Sequence, residues 1–119
     1  SPVANILRWS ESAVGRANEE EFGSASKPEE RRWIEPLDLV RLSLSGRRFP
    51  TTLVAVGLQD VRVQPWQGAK LVAAIQAGQG REAAQLRVDE TGGHMSGYGE
   101  GRLQRSADIL AFGLAAAKH

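Results

Sequence analysis

Pro50-Thr51-Thr52-Leu53-Val54-Ala55-Val56-Gly57-Leu58-Gln59-Asp60 is the stretch on which the fold turns. Its centre, Thr52 to Gly57, is a short apolar run rich in β-branched residues and bounded by Pro50 and Gly57, the pattern of a strand buried on both faces. Pro65-Trp66 then opens a helix expected to reach about Ala77. Ala69, Val72, Ala73 and Gln76 form one stripe, Leu71 and Ile75 lie beside it, and Gly78 supplies the stop. Gln85 to Asp89 alternates polar and apolar residues, as a strand near a sheet edge does. The loop Thr91-Gly92-Gly93-His94-Met95-Ser96-Gly97-Tyr98-Gly99 follows. A last helix over about Leu103 to Ala117 places Leu103, Ala107, Leu110 and Leu114 on one face expected to be buried. Strand, helix, strand, helix over residues 50–119 is an α/β arrangement with parallel strands and a right-handed crossover.

Residues 1–49 read differently. They are polar and glutamate-rich, and the pattern predicts an irregular segment with one short helix. Ser26-Lys27-Pro28-Glu29 has capping-box spacing with proline in the first turn, so a helix over Pro28 to Glu35 is expected, with Trp33 and Ile34 its apolar residues and Pro36 ending it. Two strands do not make a sheet that stands alone, because both faces of a parallel sheet need cover. The strand Thr52 to Gly57 is therefore expected to be covered by residues outside these 119 or by a neighbouring chain.

Composition narrows the function. Of the 119 residues 41% are hydrophobic and 24% charged, which excludes a disordered tail, a collagen-like repeat or a coiled coil. Fifteen Lys and Arg oppose fourteen Asp and Glu, and basic residues never run beyond two, so no phosphate-tracking stripe is present and nucleic acid is not expected as a partner. Without cysteine there is no disulfide framework, thiol nucleophile or thiolate metal site. Apolar runs fall well short of the roughly 20 residues of a membrane helix, so no membrane partner is expected. The compartment, cytoplasm or periplasm, stays open. The sequence begins Ser1-Pro2 and its one methionine is Met95, as expected of a processed chain or a piece of a longer one.

In parallel α/β sheets ligands bind at the carboxyl ends of strands. Asp60 lies three residues past the first strand and His94 in the loop after the second, so adjacent strands should bring them within about 2.6–3.2 Å of each other. A carboxylate accepting from His Nδ1 fixes the tautomer and frees Nε2 to act as a base. Asp followed by His, each at a strand end, is also the order of an α/β-hydrolase triad after its serine. Blander roles stand beside this one. Asp60 suits a turn or cap, and His94 suits an exposed loop or, with His119, a metal ligand pair. Glu19-Glu20-Glu21 reads as a solvated acidic face, and Arg47-Arg48 as surface charge.

The segment Phe49 to Trp66 resembles the C-terminal part of the prolyl oligopeptidase family of serine peptidases. There a Tyr-Pro, an apolar strand, an Asp-x-Arg-Val and a helix with a Lys-Phe-like centre, here Lys70-Leu71, follow in this order. Gly93-His94 before a small-residue loop and terminal helix is similar to the family's histidine segment. Gly15 to Ala25, followed by the Pro-Glu-rich stretch Pro28 to Trp33, is similar to the segment upstream. The resemblance spans nearly the whole chain and implies the C-terminal part of an α/β-hydrolase fold. It implies Asp60 and His94 as triad members and Arg62 as donor to a substrate carbonyl near the scissile bond. Val63 and Phe22 would then wall the pocket for the residue before the cleaved bond, where the family has Val and Tyr. Asn18 stands where prolyl-specific members carry a tryptophan that stacks on proline, a face an amide does not offer. No Gly-x-Ser-x-Gly occurs, since Ser24 directly follows Gly23 and Ser96 stands three residues after Gly93.

The implied activity is that of a serine-type oligopeptidase acting on short peptides, with no cofactor and no metal. This chain supplies Asp and His and is expected to be inactive alone. The remainder of the peptidase, with the nucleophile-bearing segment and a β-propeller, and a peptide substrate are its implied partners. The alternatives are an oligopeptidase cleaving after basic residues, with Glu19 to Glu21 as its acidic feature, and a non-catalytic fragment or interaction module.

Overall fold

The computed structural model describes residues 1–94 and 100–118. Strand β1, Thr52–Gly57, and strand β2, Ala84–Asp89, pair in parallel, with Thr52 opposite Ala84 and Gly57 opposite Asp89. The connection between them is helix α5, Trp66–Gln79. It continues through Gly78 and ends at Gly80, whose φ of 95° is the left-handed conformation glycine adopts without strain. Inside a helix with its hydrogen bonds intact, one glycine costs only about 1 kcal/mol, too little for Gly78 to stop it.

Helix α5 lies tightly on β1. A Cβ at Gly68 would sit 2.6 Å from Val56 Cγ1 and 2.9 Å from Val54 Cγ1, so only a glycine lets the two backbones come this close. The core is Ala4, Val54, Val56, Leu71, Val72, Ile75 and Ala84. The buried face of α5 is thus Gln67, Gly68, Leu71, Val72, Ala74 and Ile75, rotated from the expected stripe, and Ala73 is exposed. β1 is buried on the α5 side through Val54 and Val56, whereas Leu53 and Ala55 are half-buried, so it is not covered equally on both faces. β2 is the more open strand, with Leu86 and Val88 exposed.

Residues 1–49 are more helical than the sequence pattern predicts. They form α1 (Ala13–Ala17), α2 (Glu19–Phe22), α3 (Pro28–Ile34) and α4 (Leu39–Leu44), with 3₁₀ turns at Ile6–Glu11 and Glu35–Leu37. Each of these helices is shorter than the two or more turns periodicity needs to show; α1 to α3 are held mainly by neighbours within the first 40 residues, and α4 packs on α5. Asp38, fully buried, caps α4 at the Arg41 N–H (2.8 Å) and accepts from Asn5 Nδ2 (2.8 Å) and the Leu7 N–H (3.1 Å). The Asn5 N–H donates in turn to Gln67 Oε1 of α5 at 2.6 Å. This network anchors the first residues to the core, where Ala4 is wholly buried.

Two further expectations are corrected. The residue preceding α3 is Lys27, not Ser26, and the carboxylate that reaches back is Glu30, which accepts from the Ser24 N–H at 2.7 Å. Of the two apolar residues of α3, Ile34 is buried and Trp33 exposed. The last helix, α6 (Glu100–Ala116), begins earlier than expected, and its face of Leu103, Leu110 and Leu114 is exposed. No described element lies against that face. α6 is tied to β2 by an ion pair between Arg87 and Asp108 at 2.7 Å. The expected loop residues Met95 to Gly99, and His119, lie outside the described residues.

Candidate active site

β1 and β2 end side by side, and the loops that leave them carry Asp60 and His94. Asp60 is buried, its side chain without solvent exposure, while the His94 side chain is one-third exposed. His94 Nδ1 lies 3.1 Å from Asp60 Oδ2 and 3.2 Å from Oδ1, within the range expected from the strand-end positions. The carboxylate is held from its other side by the chain that follows it. Oδ1 accepts from the Val63 N–H at 2.9 Å and the Arg62 N–H at 3.0 Å, an Asx turn closed by two backbone donors.

Burial acts to raise the Asp60 carboxyl. The Val63 N–H, the Ser1 side chain, His94 and the Arg62 N–H together outweigh it and hold the group below its ordinary value. The Ser1 hydroxyl is buried and makes no hydrogen bond of good geometry among the described residues. Asp60 therefore stays ionised at neutral pH, facing the imidazole. With Nδ1–H donating to it, Nε2 is left as the acceptor nitrogen, on a ring that reaches solvent.

Arg62 and Val63 come with this pair. Arg62 is exposed and its guanidinium has no hydrogen-bond partner among the described residues, so the backbone and not that side chain secures the Asp60 turn. Val63 is buried. Asn18 stands between α1 and α2 and Phe22 ends α2, and their partners are elsewhere. Asn18 Nδ2 donates to the Val14 carbonyl at 2.7 Å, and the half-exposed Phe22 ring packs on Trp9 with centroids 5.7 Å apart. Glu20 and Glu21 are exposed, as are Arg47 and Arg48, and Glu19 accepts from the Ser24 hydroxyl. A cleft of about 360 Å³ lined by Arg8, Glu11, Gln64, Trp66 and Lys70 includes neither Asp60 nor His94. The turn role offered for Asp60 from its loop position therefore holds beside the contact with His94, and its donors are the Arg62 and Val63 N–H groups. An Asp followed by a loop at an Asx-turn spacing is the signal that points to them.

A parallel βαβα unit with its polar residues gathered at the carboxyl ends of the strands is the C-terminal part of an α/β-hydrolase fold. The family model described as "Prolyl oligopeptidase family" matches residues 1–119, and the chain belongs to that family. The dual function macrocyclase-peptidase POPB of Galerina marginata is 35% identical over 74 residues, 62% of this chain and 10% of that protein. A prolyl endopeptidase of Elizabethkingia miricola is 27% identical over 115 residues, 94% of this chain and 16% of that protein. Among solved structures, prolyl oligopeptidase B from Galerina marginata bound to a 35mer hydrolysis and macrocyclization substrate superposes with a TM-score of 0.81 at 29% identity, over 96% of this chain and 16% of that one. The chain thus spans 10 to 16% of the length of the relatives it matches.

Proposed function

We propose that this chain is the base-bearing C-terminal portion of a serine peptidase that hydrolyses short peptides. The observation that carries the proposal is the buried Asp60 carboxylate, clamped by two backbone N–H groups and facing His94 Nδ1 at 3.1 Å. In this reading His94 Nε2 takes the proton of a serine hydroxyl supplied by the rest of the protein, and later returns it to the leaving amine. Asp60 fixes the tautomer and stabilises the imidazolium. Family membership supports the reading, as do structures of prolyl oligopeptidase B with peptide substrates in which a serine, an aspartate or a histidine is replaced by alanine, residues that occur there in that order. Here Asp60 precedes His94, and the nucleophile and the oxyanion donors lie in sequence outside these residues.

Arg62 is the substrate-binding member. Its exposed guanidinium, two residues from Asp60 and without a hydrogen-bond partner among the described residues, would donate to a peptide carbonyl near the scissile bond. Val63 and Phe22 are assigned to the pocket for the residue before that bond. Asn18 in place of an aromatic residue argues against a strict proline preference.

Steady-state kinetics of the full-length protein on a short chromogenic peptide test the assignment. His94→Ala should lower kcat on the order of 10³-fold or more. Arg62→Ala removes a charge-assisted hydrogen bond worth about 1.5–3 kcal/mol, and the loss should fall largely on KM. Near-normal kcat in His94→Ala would end the peptidase reading.

A further inference from the structure

Gly57 and Asp89 are opposite each other where the two strands end. The pairing does not stop there. The Leu58 N–H donates to the Asp89 carbonyl at 2.8 Å, and the Gln59 N–H to the Gly92 carbonyl at 3.0 Å, so the loop that delivers His94 is laid across the end of β1. At the crossing there is room for a hydrogen atom and nothing more. A Cβ on Gly57 would lie 2.6 Å from the Gly93 carbonyl oxygen and closer still to that of Gly92. The φ of Gly57 is not positive, so space and not backbone conformation demands the glycine. Behind the same loop, Asp89 Oδ1 accepts from the Gly92 N–H at 2.9 Å and the Thr91 N–H at 3.2 Å.

We propose that Gly57 and Asp89 are positioning residues that together set His94 against Asp60. The bare end of β1 lets the Gly92–Gly93 backbone cross at contact distance, and the Asp89 carboxylate holds that backbone down. Asp60 is registered to the same point, because its N–H donates to the Gly57 carbonyl at 3.2 Å. A methyl group at position 57 collides with backbone atoms on the His94 side, so the loop must move outward and take His94 with it. The His94–Asp60 contact, at 3.1–3.2 Å, already lies at the long end of N–H···O bonds, about 2.7–3.2 Å. A displacement of about half an ångström therefore breaks it. The kinetic consequence rests on the peptidase reading; the structural one does not.

The test uses the full-length protein and Gly57→Ala, with Gly78→Ala as control. A Cβ at Gly78 meets only the Ser43 carbonyl, at 3.7 Å, in ordinary contact. Two quantities are followed: the Nδ1 proton of His94 hydrogen-bonded to Asp60, by NMR and assigned by its loss in His94→Ala, and kcat apart from KM. Gly57→Ala should lose the proton signal and drop kcat on the order of 10²-fold with KM little changed, whereas Gly78→Ala should match the wild type. Signal and kcat both at wild-type level would overturn the proposal. Signal lost with kcat intact would uphold the positioning and sink the catalytic role of His94. Should Gly57→Ala not fold, Asp89→Ala at its partly exposed site gives the same reading. It should lose the signal, and Asp89→Asn, which keeps an acceptor oxygen for the Gly92 N–H, should recover it. An unchanged signal in Asp89→Ala overturns the proposal equally.

Discussion

Replacing Asp60 by Asn and by Ala separates the two tasks of this carboxylate. Oδ1 holds the turn through the Val63 and Arg62 N–H groups, and both oxygens face His94 Nδ1. Alanine removes every acceptor. The Val63 donor is then left buried and unpaired at about 1–3 kcal/mol, while the Arg62 N–H, on an exposed residue, turns partly to water at lower cost. Together with the lost His94 contact, the total comes to about 3–4 kcal/mol. Asparagine keeps a carbonyl oxygen for both donors and loses only their charge assistance, about 1–2 kcal/mol. Because that oxygen is committed to the turn, the amide NH₂ must point at His94. It can pair only with an unprotonated Nδ1, which moves the imidazole proton to Nε2 and removes the base. Asp60→Asn should therefore be clearly more stable than Asp60→Ala in urea unfolding followed by circular dichroism, yet lose kcat by about 10³–10⁴-fold on a chromogenic peptide, as much as alanine does. Equal destabilisation by the two variants would refute the turn-holding role of Oδ1. Near-wild-type kcat in Asp60→Asn would refute the tautomer argument.

The depressed Asp60 carboxyl gives a pH dependence with a definite sign. A group whose pKa is lower folded than unfolded adds stability above its unfolded value, about 3.9, and loses it as pH falls from there through the folded value. Urea midpoints of the wild type and Asp60→Asn, measured between pH 6 and pH 3 (roughly the window this linkage sets), should converge on acidification, and a constant gap would count against the linkage. Ile75 is 1% exposed in the core between α5 and the strands, so Ile75→Ala should cost about 2–5 kcal/mol in the same assay. A loss under about 1 kcal/mol would mean that the site collapses around the cavity or that the core lies elsewhere.

Elements that carry their signal locally are legible in the amino-acid sequence alone. β1 is a β-branched apolar run, α5 has its start at Pro65-Trp66, β2 alternates, and the strand-end rule places Asp60 beside His94 although a whole helix separates them in the chain. That rule works because parallel pairing puts both carboxyl ends at one edge, whatever lies between. The misread features depend on contacts distant in sequence. The short helices before Phe49 have too few residues to display a period, and the buried Asn5, Asp38 and Gln67 that anchor the chain start and α4 resemble surface polar residues until the fold joins positions 62 and 33 residues apart. The apolar face of α6 has the periodicity of a buried helix, yet it is exposed, because periodicity reports that a face seeks cover and not which residues provide it. Likewise Gly57 is an ordinary strand-end glycine in the sequence. Its need for a bare backbone arises only when the Gly92–Gly93 carbonyls are folded against it, a steric demand set by the loop that crosses it and carried by no residue near it in the chain.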